Sequence, residues 1–259
     1  MDTKTFNLFS QTSYLVEPLK NGKTMANGTC FFVMRNNKTY LITNWHIVTG
    51  KNPFTNAYIG YYAVSPDQLK IRVYKNQQHL ETTDLIIDLL DDNGNEKWLV
   101  HPKYSNQVDV IALEIEIPTD KFVISPENFI EPFNEDTSES VKDDVFILGF
   151  PFGLKTGDIF PIWKRGSLAS EPLIDLDDLP KMYIDSASRS GMSGSPVIYL
   201  EKRQFGIGDA HPGTPNAKFS NNYTKMVGIY SGRIGANDEL NAQLGIVWKY
   251  RVIDEIITI

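Results

Sequence analysis

Roughly a dozen short apolar runs punctuate the chain, each closed off by Gly, Pro, Asn or Asp, and strands spaced this way build barrels or sandwiches. Residues 30–34 and 40–43 flank the polar turn Arg35-Asn36-Asn37-Lys38 and read as a hairpin. Residues 69–74 alternate as a strand does. Residues 85–90 and 97–100 flank Asp91-Asp92-Asn93-Gly94-Asn95-Glu96. That loop lacks the glycine and the closing glutamate of an EF-hand at the required places (the latter is Pro102), so it reads as an Asn-Gly turn. Further strands are expected at 108–115, 145–148, 164–170, 182–185, 196–199, 226–231 and 245–248. From Tyr250 the period changes. Tyr250, Ile253 and Ile257 fall at i, i+3 and i+7, with Val252 and Ile256 beside them, which predicts an amphipathic helix over 250–259. Residues 201–225 read as a long surface loop.

Composition narrows the function classes. With 41% apolar and 22% charged residues the chain can bury a core and is not intrinsically disordered. Acidic residues outnumber basic ones 32 to 25, a net charge of −7, which argues against a binder that relies on attraction to nucleic-acid phosphates. A single cysteine, Cys30, excludes an internal disulfide and fits a reducing compartment; within Thr29-Cys30-Phe31-Phe32-Val33 it reads as a small buried residue. Met1-Asp2-Thr3-Lys4 opens with charge and without the apolar run of a secretory signal. The longest apolar stretch, 145–154, is about half the length of a membrane span. A soluble, cytoplasmic protein with no nucleic-acid or membrane partner is expected.

Three stretches carry residues suited to chemistry. Thr43-Asn44-Trp45-His46 ends a strand on a histidine, Val108-Asp109-Val110-Ile111-Ala112-Leu113 opens one with a carboxylate, and Ser190-Gly191-Met192-Ser193-Gly194-Ser195-Pro196 sets a serine between glycines. Taken singly, each has an ordinary structural explanation. Together they supply the parts of nucleophilic catalysis. A serine hydroxyl needs a base to attack at neutral pH, an imidazole titrates in the right range, and a buried carboxylate fixes the imidazole's tautomer. The glycine-rich backbone can turn the N–H groups of Gly191 and Ser193 toward a developing oxyanion. His79, His101 and His211 lack partners at metal-ligand spacing, and Asp175, Asp177 and Asp178 read as a solvated acidic patch.

These motifs resemble the trypsin/chymotrypsin-fold serine peptidases, most closely the bacterial branch that includes HtrA proteases and glutamyl endopeptidases. Gly28-Thr29-Cys30-Phe31-Phe32-Val33 with Thr43-Asn44-Trp45-His46 resembles the approach to the family's histidine. The stretch around Asp109 resembles the aspartate strand, and 185–196 the nucleophile loop. Gly149-Phe150-Pro151 and Val227-Gly228-Ile229-Tyr230-Ser231 resemble further elements of that branch. The resemblance covers residues 25–255. It implies an all-β fold of two six-stranded antiparallel barrels with a short C-terminal helix, forming a single peptidase domain over 1–259. The barrels would occupy about 1–125 and 142–248, and the helix 250–259. It implies a serine endopeptidase acting on a protein or peptide without a cofactor, through His46, Asp109 and Ser193, with Gly191 and Ser193 as the oxyanion hole. Ser231 is expected to bond Asp109. Ala187, Ser188, Arg189, Ser231, Gly232 and Arg233 would line the substrate pocket. The alternative is a catalytically idle module of the same fold used for binding.

Two departures from the family pattern matter. Met192 stands where zymogen-activated members carry an aspartate that pairs with a newly cut N-terminus, so activity is expected without such cleavage; an activating protein partner is a further expectation. No carboxylate stands at Ala187, which disfavours a basic substrate residue in the primary pocket. Arg233 could narrow that pocket, attract an acidic side chain, or turn to solvent.

Overall fold

Asn36 and Asn37 both take left-handed backbone angles (φ 51° and 63°) and close the tight hairpin between β3 (Gly28–Arg35) and β4 (Lys38–Thr43), paired from Phe31↔Ile42 to Arg35↔Lys38. Asparagine tolerates that region better than other side-chain-bearing residues, and a two-residue turn needs it. The computed structural model describes residues 6–60, 63–75, 81–130, 140–187, 189–205, 219–233 and 244–258.

The amino-terminal half contains β1 (Tyr14–Lys20), β2 (Lys23–Thr24), β3, β4, the short helix α1 (Trp45–Thr49), β5 (Gln68–Tyr74), β6 (Thr82–Asp88), β7 (Trp98–Leu99) and β8 (Ile111–Ile115). Its strands form one eight-stranded antiparallel sheet in the order β6-β5-β1-β3-β4-β8-β7, with β2 paired to β1. The two ends of this sheet, Leu85 and Ile87 on one side and Trp98 on the other, pack into the same apolar core, so the sheet curls around it. The carboxyl-terminal half has β9 (Asp144–Gly149), β10 (Ile162–Leu168), β11 (Lys181–Asp185), β12 (Pro196–Phe205), β13 (Phe219–Arg233), β14 (Leu244–Lys249) and helix α2 (Arg251–Ile257). Its six strands close into a barrel in the order β10-β11-β14-β13-β12-β9.

The unbroken apolar runs of β3, β4 and β8 have a physical cause. Successive side chains of a strand point to opposite faces, and here both faces are covered. Cys30, Phe32, Leu41, Ile111 and Leu113 point into the amino-terminal core. Phe31, Val33, Ile42, Val110 and Ala112 point the other way, into a second core shared with Leu148, Ile198, Ile229 and Trp248 of the barrel and with Val252, Ile253 and Ile256 of α2. That shared core joins the two halves. Fully burying such side chains contributes about 1.5–3 kcal/mol each. A third cluster, including Val145, Ile147, Met182, Ile184, Met192, Val197 and Val247, fills the barrel.

Both ends of the region expected as a surface loop form a ladder, and its middle, 206–218, lies outside the described residues. β12 runs to Phe205 and β13 begins at Phe219, with backbone pairing from Leu200↔Thr224 out to Phe205↔Phe219. Polar composition hid it, because ladder hydrogen bonds come from backbone and do not require apolar side chains. Strand β1 also escaped the sequence pattern: Glu17 and Pro18 interrupt its apolar run, and Pro18 sits opposite Leu69 of β5. The Asp91 turn is held by that carboxylate, which accepts from the backbone N–H of Asn93 (2.9 Å) and Asn95 (2.8 Å). The acidic loop at 175–178 is exposed, as expected, and two of its carboxylates are also ion-paired. Asp175 bonds Lys249 Nζ at 2.6 Å and also Arg251, and Asp177 meets Lys181 at 2.8 Å. These pairs tie the loop to β14, α2 and β11. Among the described residues no helix is long and apolar enough to cross a membrane.

Candidate active site

His46 lies in α1, a single turn set immediately after β4. Asn44 precedes it and Gly50 ends it at φ 69°, its N–H on the His46 carbonyl. Asp109 follows a turn, two residues ahead of β8, and is 1% exposed. Its location is fixed from behind: the buried Asn44 side chain donates Nδ2–H to the Asp109 carbonyl oxygen at 2.6 Å. Sequence reading passed over Asn44, and its one trace there is an amide between a strand and a tryptophan.

A buried carboxylate needs a full set of donors, and Asp109 has them. Oδ1 accepts the His46 backbone N–H at 2.9 Å, while Oδ2 meets His46 Nδ1 at 2.6 Å and accepts the Ser231 hydroxyl at 2.5 Å. A carboxylate only accepts, so Nδ1 must carry the hydrogen. Nε2 of a neutral ring is then a base. The expected bond between Ser231 and Asp109 is therefore present.

Ser193 sits half-buried at the turn before β12. Its hydroxyl donates to the Ser231 carbonyl at 3.3 Å rather than to the imidazole. Ser231 thus touches both neighbours, Asp109 through its side chain and Ser193 through its backbone. The sharp loop needs glycine at two places. Gly191 has φ 95° and a Cβ there would overlap the Phe150 carbonyl oxygen; Gly194 has φ 85° and a Cβ there would overlap the Thr29 carbonyl. Among the described residues neither the Gly191 nor the Ser193 N–H is taken by an acceptor of the chain. The Ser190 carbonyl, which would block the space beside them if its peptide turned over, is bonded to the Phe152 N–H at 2.7 Å. Met192 is fully buried in the barrel core, so its side chain seats the loop by packing.

The candidate pocket residues divide. Ala187 and Arg189 are exposed, and Ser231 and Gly232 are half-buried at the end of β13. Ser188 and the side chain of Arg233 lie outside the described residues, as do His79 and His211. The Arg233 backbone pairs with Gly245 of β14. His101 is 4% exposed and serves the fold: Nε2 meets Glu255 of α2 at 2.8 Å, and Nδ1 accepts the N–H of Lys103 and Tyr104. Cys30 is free and fully buried, and burial pushes its thiol well above its ordinary pKa, which removes it as a nucleophile. No group of three or more metal-ligating side chains occurs among the described residues.

Residues 28–207 match the model of the trypsin-like peptidase domain, and the chain belongs to that family. No curated protein matches it. Among solved structures it is similar to the serine endoprotease from Yersinia pestis, at 15% identity over 96% of this chain and with a TM-score of 0.52, which shows a common fold. The chain spans 62% of the length of that structure. A second match is to the inactive form of the Rv3671c protease, at 16% identity over 96% of this chain and 88% of that one, with a TM-score of 0.43.

Proposed function

We propose that the protein is a serine endopeptidase working through an acyl-enzyme, with Ser193 as nucleophile, His46 as general acid and base, and Asp109 as orienting carboxylate. The observation that carries the reading is the pair of bonds between His46 and Asp109, which puts the hydrogen of a neutral ring on Nδ1 and makes Nε2 its accepting nitrogen. The bond from Ser193 to the Ser231 carbonyl is long at 3.3 Å, so rotation about Cα–Cβ releases the hydroxyl at little cost. Its oxygen attacks the substrate carbonyl carbon as the proton passes to Nε2. The oxyanion is received by the N–H groups of Gly191 and Ser193, each such donor being worth roughly 3–4 kcal/mol of barrier. Collapse expels the amine, which takes the proton back from His46. Water then repeats the sequence on the acyl-enzyme. The reaction calls for no cofactor.

Substrate is proposed to lie along Ser231, Gly232 and Arg233, with Ala187, Ser188 and Arg189 lining the primary pocket. A reducing, cytoplasmic location belongs to the same proposal and is supported by the single, buried Cys30. A partner-activated enzyme is a second reading, favoured by the Ser193 hydroxyl resting on a carbonyl instead of the imidazole. A fluorophosphonate probe distinguishes the cases. Labelling of the purified protein, lost in Ser193→Ala, supports the active enzyme. Labelling only with cell extract supports activation by a partner. No labelling under either condition would leave an idle binding module.

A further inference from the structure

The backbone carbonyls of residues 190–193 are all held by donors. Ser190 O accepts from Phe152 N–H at 2.7 Å, Met192 O from Ser195 N–H at 3.1 Å, and Ser193 O from Thr29 N–H at 2.8 Å. Gly191 O accepts from the Thr29 hydroxyl at 2.9 Å. Three of the four anchors are backbone groups that survive any substitution other than proline. The fourth is a side chain.

We infer that Thr29 is a positioning residue for the oxyanion hole, its hydroxyl holding the Gly191–Met192 peptide so that the N–H groups of Gly191 and Ser193, and no carbonyl, face the substrate. The inference rests on the peptidase reading and adds to it a residue outside the triad, on the opposite half of the molecule. Thr29 is fully buried on β3, just ahead of the apolar run Cys30-Phe31-Phe32-Val33. Every polar group it has is used on this task or on holding itself in place. Its N–H and hydroxyl reach residues 193 and 191, its carbonyl accepts the Thr43 hydroxyl at 2.8 Å, and its Oγ1 also accepts the Phe150 N–H at 3.3 Å. Phe150 and Phe152 belong to the turn that restrains Ser190, so one hydroxyl links both sides of the hole.

The N–H of the same peptide is also bonded, Met192 N–H to the Arg189 carbonyl at 3.2 Å, and Gly191 makes the second anchor matter. At φ 95° and without a side chain, it imposes no steric preference on the peptides around it. Were the Gly191–Met192 peptide to rotate, a carbonyl dipole would approach the place where negative charge develops and oppose the reaction there. The effect would fall on the transition state and not on substrate binding, which does not use the hole to the same extent.

The test compares Thr29→Val, which keeps shape and loses the donor, with Thr29→Ser, which keeps the donor. In Thr29→Val, kcat on a peptide substrate is expected to fall about 10–100-fold with KM within about twofold, and Thr29→Ser is expected to regain most of the loss. Thr29→Ala and Thr29→Cys stand in with the same expected loss if the valine variant does not fold. Wild-type kcat in the variants lacking the hydroxyl, or equal loss in Thr29→Ser, overturns the inference. Crystal structures of the wild type and the valine variant decide the matter independently of turnover. A rotated Gly191–Met192 peptide supports the anchor, and an unchanged one overturns it even if the chain proves to hydrolyse nothing.

Discussion

Asp109 and Ser231 meet at 2.5 Å across the seam between the two halves, one from the approach to β8 and the other from the end of β13. A hydroxyl donating to an ionised group contributes about 1.5–3 kcal/mol, and this one also restrains the oxygen that faces His46 Nδ1. Ser231→Ala is expected to lower kcat about tenfold or more while the Ser231 carbonyl, a backbone group, still meets Ser193. Steady-state kinetics on one peptide substrate checks it; an unchanged kcat would show that the bond is not used in turnover.

Replacing Asp109 by Asn keeps the shape and removes the charge. The amide would present Nδ2–H to the ring, forcing the hydrogen from Nδ1 to Nε2, the wrong atom for a base. A fall in kcat of about 10⁴-fold is expected, the size seen when the orienting carboxylate of such a triad is lost. Fluorophosphonate labelling of Asp109→Asn should slow in parallel, and labelling at the wild-type rate would remove Asp109 from its proposed role.

Met192 is buried among apolar side chains directly before Ser193. An ammonium released by cleavage would find no carboxylate there. Extending the chain with an uncut amino-terminal tag is therefore expected to leave kcat/KM within about twofold, whereas an enzyme that depends on a free N-terminus loses activity by much more. Met192→Asp should be destabilising by about 3 kcal/mol or more, because it leaves a buried charge without a partner. Chemical denaturation measures the second effect and kinetics the first.

The parts of this structure legible in the sequence are those written in side chains. The apolar runs through Phe31 and Phe32 and through Leu41 and Ile42 were legible as strands of a hairpin, though not as strands buried on both faces, and the apolar stripe of α2 was visible as well. The long β12–β13 hairpin was hidden because its pairing is carried by the backbone. The site divides the same way. The residue types His46, Asp109 and Ser193 stand out, and two glycines announce the turn between them. The anchoring of the carbonyls at residues 190–193 left only one trace, a hydroxyl at Thr29 in an otherwise apolar run. Which way the Ser193 hydroxyl turns is a matter of rotamer and left none.

The acidic loop offers a pH test. Burial raises the Asp175 pKa, but the hydrogen bonds and charges of Arg251 and Lys249 more than offset that and hold the carboxyl below its usual range. A folded-state value below the unfolded one, about 3.9, means that the folded state binds this proton less readily. Its stabilising effect is present above the unfolded value and is lost as pH falls through the folded one. Because Asp175 is partly exposed, each pair contributes only about 0.2–1 kcal/mol. Asp175→Asn should thus lower the urea midpoint at pH 7 and approach the wild type as the pH drops toward about 3. A constant gap across that window would mean that the carboxylate's charge does not stabilise the fold.

The last expectation concerns which bonds are cut. The proposed pocket has Ala187 at its exposed rim where a carboxylate would be needed to pair with a lysine or arginine side chain. A basic side chain entering a pocket without a counter-charge gives up hydration without repayment, and a few kcal/mol of that kind is worth a factor of a hundred or more in kcat/KM. Arg233, whose backbone is in register with Gly245 on β14, is the one basic candidate that β13 offers to the proposed pocket. Cleavage of a peptide library is therefore expected to be poor after Lys and Arg. The variant Arg233→Ala separates the two causes: basic residues gain relative to the wild type if the charge of Arg233 repels them, and stay excluded if the absence of a carboxylate at residue 187 decides. A strong preference for Lys or Arg in the unmodified protein would place the pocket elsewhere.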